Sequence, residues 1–552
     1  METTCSKHNY HIIGLCCLLL FLIAMAILLA VPPTSRDALI HHLALPKLYL
    51  QNGGIYEIPD LIYSYYPMNL DLLYMIPLGV GFDILAKYIH FSFALATAWL
   101  LYRYISKRID RCHGILGALF FLTIPLIVKL SSIVYVDLGL IFFSTASLLT
   151  LFQWAEKGFP RRLLIIAGVC CGLAIGTKYN GLICLLLLSA FVPILYIRSQ
   201  ETSANHNWQA TQAGILFVFC ALAACSPWLI RDFIWTGNPV YPLFNSFFSS
   251  SGSISSGGSK IGVLKIRQLV YHESTLQIFL LPIRIFFEGK DNIPGLFDGK
   301  LTPFLFFLPL LAFLPASASR REKLEKMFLL IFVLLFFFFA LFTTVLRMRY
   351  ISPIIPPLVI LAIYGLRNLQ HLFIDKIVST KTRITIFSVL LIVIFLPNLH
   401  YITRQFQITN AWGYFSSKTS RDEYLANHIP EYTVMKYINS HLPTNAKILC
   451  FYLRGRSYYL DRKAVFEPTL KKTFFLIMKH KPLDEAFSYL QKENIDYLLI
   501  RDNLFVQTIS KLPSRVEKAK WQTFFTTCTQ PLYSANGYSL YQLKCKQTGI
   551  KK

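Results

Sequence analysis

Roughly eleven apolar stretches run through the first 400 residues, each close to the ~20 residues a helix needs to cross a bilayer. They fall near residues 11–31, 84–105, 114–131, 133–153, 163–177, 179–197, 212–230, 302–317, 327–345, 351–366 and 384–400. Lipid offers no partner to an unpaired backbone group, so a chain of this kind must build a helical bundle. Composition agrees: 54% of the 552 residues are hydrophobic and 15% charged, against about 25% charged in soluble domains. The first run, His11 to Val31, is too long for a signal-peptide core and no small-x-small cleavage pattern follows it, so it reads as a retained anchor.

The net charge of +25 does not point to nucleic acid. There is no zinc-finger spacing and no basic-aromatic platform. Gly252–Lys260 only faintly resembles a phosphate loop, with wrong spacing and no preceding strand. The lysines and arginines instead collect in alternate short loops, at 103–111, 157–162, 198, 320–326 and 367–383. By the positive-inside rule those loops and the N-terminus are cytoplasmic, with the positive surface facing anionic membrane lipids.

Two outer loops are long. Residues 32–83 hold amphipathic pieces, Ala38–Leu50 and Met68–Val80, too short to span. Residues 231–301 start with Arg231-Asp232 and a turn-rich segment, and include a Ser/Gly tract at 249–259. The expected domains are therefore 1–400 in the membrane and 401–552 outside it. In the latter, helical patterns (Glu431–Ser440, Leu483–Glu493) alternate with β-like runs (Lys447–Leu453, Asp496–Arg501, Tyr538–Leu543), a small extracytoplasmic α/β domain. Twelve cysteines form no metal pattern, and Cys528 with Cys545 is one pairing open to an extracytoplasmic domain.

The candidate site lies in the few charges near membrane depth. Asp37 follows the first span, Asp137 separates two spans, Lys178 interrupts a long apolar run beside Gly176-Thr177, and Arg347 and Arg349 end the helix Met327–Leu346 just before Pro353, Pro356 and Pro357. Charge there is costly and usually functional. Each has a plainer reading: either Asp as a helix cap, Lys178 as a snorkelling side chain, the arginines as a flank. On this topology all five share the outer face, and their opposite signs suit an anionic lipid-linked substrate. Arginine in particular binds phosphate through paired, charge-assisted bonds.

The chain resembles the C superfamily of membrane glycosyltransferases, in the branch of protein O-mannosyltransferases and the bacterial lipid A aminoarabinose transferase. The resemblance rests on Arg36-Asp37 with His41-His42, Pro67 and the piece after it, Tyr135-Val-Asp137-Leu, Gly176-Thr-Lys178-Tyr179, Thr236-Gly-Asn-Pro-Val-Tyr-Pro-Leu-Phe-Asn245, and Arg349-Tyr350 with Pro353, over residues 10–400. It implies a polyprenyl-phosphate sugar donor, action at the outer face and an essential acid at Asp37, with Asp137 and Lys178 at two further polar positions. An acidic-basic pair of that pattern is absent here, where the chain reads Tyr65-Tyr66-Pro67-Met68-Asn69. This leaves donor and acceptor identity open.

The implied reaction is sugar transfer to an acceptor hydroxyl with inversion. Asp37 is the expected base. Lys178, Arg347 and Arg349 are expected on the donor phosphate, with Arg36 and Arg231 behind them, and Asp137, His41, His42 and Tyr350 are assigned to orientation or the acceptor. The acceptor is a lipid, a glycan or a protein. No cofactor is prescribed, a divalent metal at Asp37 or Asp137 being one alternative. Two other readings stand beside the transferase: a flippase for a lipid-linked glycan and a non-catalytic envelope scaffold. The expected location is a bacterial inner membrane.

Overall fold

A computed structural model describes residues 2–59, 61–199, 206–248, 262–315, 318–343, 346–374, 379–466 and 468–544. The Ser/Gly tract 249–259 and Cys545 lie outside them. The chain forms two compact units. One comprises Met1–Val31, Tyr65–Pro77 and Ile84–Trp412; the other comprises Pro32–Ser64, Leu78–Asp83 and Gly413–Lys552.

The first part of the chain gives α1 (Glu2–Leu29), α2 (Ala44–Asn52), α3 (Asn69–Gly79), α4 (Leu85–Arg108), α5 (Arg111–Thr123), α6 (Pro125–Ser131), α7 (Asp137–Glu156), α8 (Arg161–Thr177), α9 (Gly181–Ser199) and α10 (His206–Thr236). Four short helices follow: α11 (Asn245–Phe248), α12 (Val263–Tyr271), α13 (Thr275–Phe279) and α14 (Leu281–Arg284). The bundle closes with α15 (Phe304–Leu311), α16 (Arg320–Thr343), a 3-10 turn at Met348–Ile354, α17 (Ile355–Leu369) and α18 (Thr380–Thr409).

Among the described residues, seven helical segments are long and apolar enough to cross a membrane, or eight if α5 and α6, bent by 66° at Pro125, count as one. The expected spans at 84–105 and 163–177 are helical as well, and that at 302–317 contains the short helix α15. They fall short for visible reasons. Lys87, His90, Ser92 and Thr97 interrupt the apolar run of α4. Helix α8 has 17 residues, about 25 Å at 1.5 Å per residue, and α15 has eight. The protein is an integral membrane protein by these helices.

Segment Met348–Ile374, carrying α17, is 89% buried, whereas α18 is 17% buried; α17 is the centre of the bundle and α18 its rim. Helix α17 packs on α15, and α8 packs between α7 and α10. Small residues allow these approaches. A Cβ on Gly365 would strike the Leu308 carbonyl of α15, and one on Gly172 would strike the Ala221 carbonyl of α10. At one end of the bundle, Glu325 of α16 pairs with Arg108 of α4 (2.8 Å) and accepts from Tyr104 (2.6 Å), while Arg321 reaches Glu156 of α7 (2.7 Å).

After α19 (Ala411–Phe415), the second unit contains α20 (Arg421–His428), α21 (Tyr432–His441), β1 (Lys447–Phe451), β2 (Lys463–Val465), α22 (Pro468–His480), α23 (Leu483–Lys492), β3 (Tyr497–Arg501), α24 (Asp502–Ser510), α25 (Arg515–Thr527), β4 (Thr529–Ala535) and β5 (Tyr538–Leu543). The sheet order is β2-β1-β3-β5-β4, parallel around β1 and antiparallel around β5. The period of two in β1 sorts its residues between two cores. Leu449 and Phe451 pack with Phe474, Trp521 and Phe524, and Ile448 and Cys450 pack with Val434, Met435 and Ile438. Asn536 and Gly537, both at positive φ (52° and 76°), make the tight turn joining β4 to β5.

Overpacking a filled helix contact costs about 2 kcal/mol. Gly365→Ala should therefore lower the unfolding midpoint in detergent by several degrees; an unchanged midpoint would contradict the close approach of α15 and α17.

Candidate active site

Helix α7 begins at Asp137, at the end of the bundle opposite the Arg108–Glu156–Glu325 cluster. Asp137 is not the cap of this helix: Val136 holds that position, without a side-chain cap bond. The first turn is served instead by His90 of α4, whose Nε2 accepts from the Leu138 N–H (3.0 Å) while Nδ1 faces the Ile133 carbonyl (2.9 Å). One nitrogen accepting and the other donating fixes a neutral imidazole with its proton on Nδ1. Asp137 is thereby left for other partners.

Its carboxylate is fully buried, and Oδ1 meets Lys178 Nζ at 2.6 Å. Lys178 reaches it because α8 stops at Thr177 and residue 178 turns extended (φ −163°, ψ 139°). Gly176 permits the break, since the Asn69 side chain of α3 occupies the space a Cβ would need. Asn69 donates to the Leu173 carbonyl (3.3 Å) and accepts from Trp228 Nε1 (2.7 Å), joining α3, α8 and α10. Tyr74 of α3 donates to the Tyr135 carbonyl.

The second cation comes from the 3-10 turn. Arg349 lies over the rings of Tyr135 (4.9 Å) and Tyr350 (5.2 Å), within electrostatic reach of Asp137. Lys178 Nζ lies 5.0 Å from the Tyr350 ring, and Asn180 donates to the Tyr350 carbonyl (3.2 Å). Asp137, Lys178, Arg349 and Tyr350 thus form one cluster. Two cations stand beside one carboxylate, and Asp137 Oδ2 has no hydrogen-bond partner among the described residues.

Next to it, Tyr179 donates to buried Asp232 (2.9 Å), which pairs with Arg231 (2.6 Å). Arg231 is sandwiched between Trp228 (4.7 Å) and Trp235 (5.0 Å). Arg347 points elsewhere, to Asp298 (3.5 Å), in a group with Lys129 and Asp291. The sequence reading grouped Arg347 with Arg349; residues two apart on this irregular turn serve different partners.

Asp37, Arg36, His41 and His42 belong to the second unit. Asp37 is half-buried and precedes a π-helix, Ala38–His42, as its cap residue without a side-chain cap bond. Such π-turns often mark functional sites. Arg36 is exposed, His42 is buried, and His41 stacks on Tyr63 at 4.3 Å. The loop is held by residues 457–461: the Leu39 carbonyl accepts from the Ser457 and Tyr458 N–H groups (3.2 and 3.3 Å), and Lys47 Nζ bonds the Tyr458 carbonyl and Asp461 (both 2.7 Å). Burial pushes the Tyr458 phenol well up, and the Asp83 carboxylate it donates to pushes further.

Among the described residues no three His, Cys, Asp or Glu side chains converge as metal ligands, and Asp137 is paired with Lys178. His90, Asn69, Tyr179 and Asp232 support the cluster, and none of them had a site role in the sequence reading. His90 carried a signal of its own, an imidazole inside an apolar helix.

Removing one partner of a buried ion pair costs about 3 kcal/mol or more, and removing both costs far less. Lys178→Met should be strongly destabilised, and adding Asp137→Leu should restore much of the loss. Additive effects of the two changes on the unfolding midpoint would contradict the pairing.

Residues 82–230 match the family model described as dolichyl-phosphate-mannose-protein mannosyltransferase. No curated protein matches the sequence. Solved structures match over nearly the whole chain. ArnT from Cupriavidus metallidurans bound to undecaprenyl phosphate has TM-score 0.57 at 13% identity, over 97% of this chain and 99% of that one; its apo form has TM-score 0.56 at 13% identity, over 97% and 98%. The apo oligosaccharyltransferase of Archaeoglobus fulgidus has TM-score 0.54 at 12% identity, over 97% of this chain and 75% of that one. At such identities the structures establish the fold, and the family match spans the helices that build the Asp137–Lys178 pair. Residues 82–230 are thus similar to the protein mannosyltransferase family, and the chain as a whole shares the fold of ArnT and of the oligosaccharyltransferase.

Proposed function

We propose that the protein moves a sugar from a polyprenyl-phosphate donor to an acceptor hydroxyl, with inversion, at the extracytoplasmic face of a bacterial inner membrane. The observation that carries this reading is the convergence of Lys178 and Arg349, from two separate breaks in the helices, on buried Asp137. A bundle built to hold two cations beside one carboxylate suits a ligand that brings its own negative charge. The fold shared with ArnT, whose structure contains undecaprenyl phosphate, supports a lipid-linked phosphate as that charge. The sidedness follows from the positive-inside rule, since the cluster sits at the opposite helix ends from the basic loops.

In the reaction the acceptor oxygen attacks the anomeric carbon. Its proton passes to Asp37, the C–O bond to phosphate breaks, and the electron pair stays on the departing polyprenyl phosphate. That group is a weak base and needs positive charge, not a proton. Lys178 and Arg349 supply it in a water-poor setting, where one fixed donor can be worth roughly 10²–10³ in rate. Asp137 holds Lys178 in place. Arg347, with Asp298, and Arg231, with Asp232, stand outside the Asp137 cluster, so neither is given the phosphate role. The acceptor is a lipid, glycan or protein hydroxyl of the envelope.

A general base contributes about 10²–10⁴ in rate, so Asp37→Asn should insert normally yet lose transfer. Mass spectrometry of lipids and envelope glycans should then show a polyprenyl-phosphate sugar accumulating and one sugar missing from an envelope polymer. Wild-type profiles in cells carrying that variant would rule out Asp37 as base. Lys178→Ala and Arg349→Ala should each weaken donor binding, and unchanged affinity in both would remove the phosphate assignment.

A further inference from the structure

The second long loop has its polarity inside out. Across α12–α14 three of the four charged side chains turn inward: Arg267, Glu273 and Arg284 are 0%, 8% and 9% exposed. They pair with one another, Arg267 to Glu273 at 2.5 Å and Arg284 to Glu273 at 3.2 Å, and both guanidiniums face the fully buried Phe297 ring (5.0 and 5.8 Å). The large apolar side chains turn outward: Val270, Leu276 and Phe279 are 61%, 65% and 79% exposed. A water-facing loop does the reverse, because buried charge costs free energy and exposed apolar surface gains none. Phe233 and Ile234, at the end of the membrane helix α10, are exposed as well. Lys265, also exposed, suits lipid headgroup phosphates.

We propose that residues 263–287 form an interfacial hairpin whose outer face sits among the acyl chains of the bilayer. Its inner end is tied to the cationic turn: the Phe297 carbonyl accepts the N–H of Met348, the residue between Arg347 and Arg349. The bilayer thereby helps to set the position of that turn.

The test uses the wild-type protein in nanodiscs containing phosphatidylcholine with a diazirine in its acyl chain. After irradiation, peptides are mapped by mass spectrometry. Adducts on 269–287 should reach within about twofold of those on the exposed residues Ile392, Val393, Leu396 and Leu399 of α18, as an interfacial insertion requires. Labelled α18 with 269–287 at the unirradiated level would overturn the proposal. So would discs holding two protein copies with 269–287 protected, which would make a second copy the occupant.

Within the second unit, the segment 457–461 holds the loop that carries Asp37. Beyond the bonds to Leu39, Tyr459 donates to the Pro33 carbonyl (2.8 Å), and Arg421 and Tyr458 both bond Asp83 (2.6 and 3.2 Å). We infer, on the reading of Asp37 as base, that Lys47 and Tyr458 are positioning residues for it. The α/β domain is then part of the catalytic apparatus. The probe is the polyprenyl-phosphate sugar extracted from cells carrying Asp37→Asn. Lys47→Met should lower kcat roughly tenfold with donor KM nearly unchanged, as misplacement of a base does, and Lys47→Arg should restore kcat. Wild-type kcat in Lys47→Met, or a fall that Lys47→Arg fails to restore, would overturn this inference while leaving Asp37 as base. An active Asp37→Asn would instead sink the base assignment itself.

Discussion

A fully buried carboxylate inside a membrane bundle is tolerable only with a cation in contact, and that requirement organises the first unit. Asp137 starts α7, and its partner Lys178 can arrive only if α8 ends one residue earlier. The break at Thr177 in turn requires a neighbour without a side chain, and Gly176 provides one where Asn69 packs. The same break exposes Asn180 to the Tyr350 carbonyl, which fixes the turn that supplies Arg349. One ion pair therefore accounts for a helix end, a glycine, and the seating of a second cation.

The helix end at Thr177 and the 3-10 turn Met348–Ile354 are the irregular backbone that serves this pair. The opposite helix ends are closed by ordinary salt bridges among Arg108, Glu156, Arg321 and Glu325. The first long loop is divided differently. Tyr65–Pro77 packs with the helices, whereas Pro32–Ser64 packs with the α/β sheet domain.

Much of the fold was legible because it follows from periodicity. Apolar length marked a helix at each expected span, and the β-like apolar run Lys447–Leu453 marked the strand β1. Strands β2 and β4 were missed, since the three residues of β2 carry no periodic signal and Pro531 interrupts β4. For the site, charges at membrane depth singled out Asp137, Lys178 and Arg349. Sequence could not separate Arg349 from Arg347, because the direction of each side chain depends on the backbone of a 3-10 turn. Nor could it find Asn69 or His90, whose importance lies in contacts across 104 and 48 positions of the chain. The inverted hairpin at 263–287 was equally hidden, since its composition is that of an ordinary amphipathic loop.

The most direct test of the central claim is a cryo-electron microscopy map of the protein in nanodiscs with a polyprenyl phosphate. The account predicts phosphate density within hydrogen-bond distance, about 3 Å, of Lys178 Nζ and the Arg349 guanidinium. Density at Arg347 and Asp298 instead, or a lipid phosphate bound away from both arginines, would contradict it.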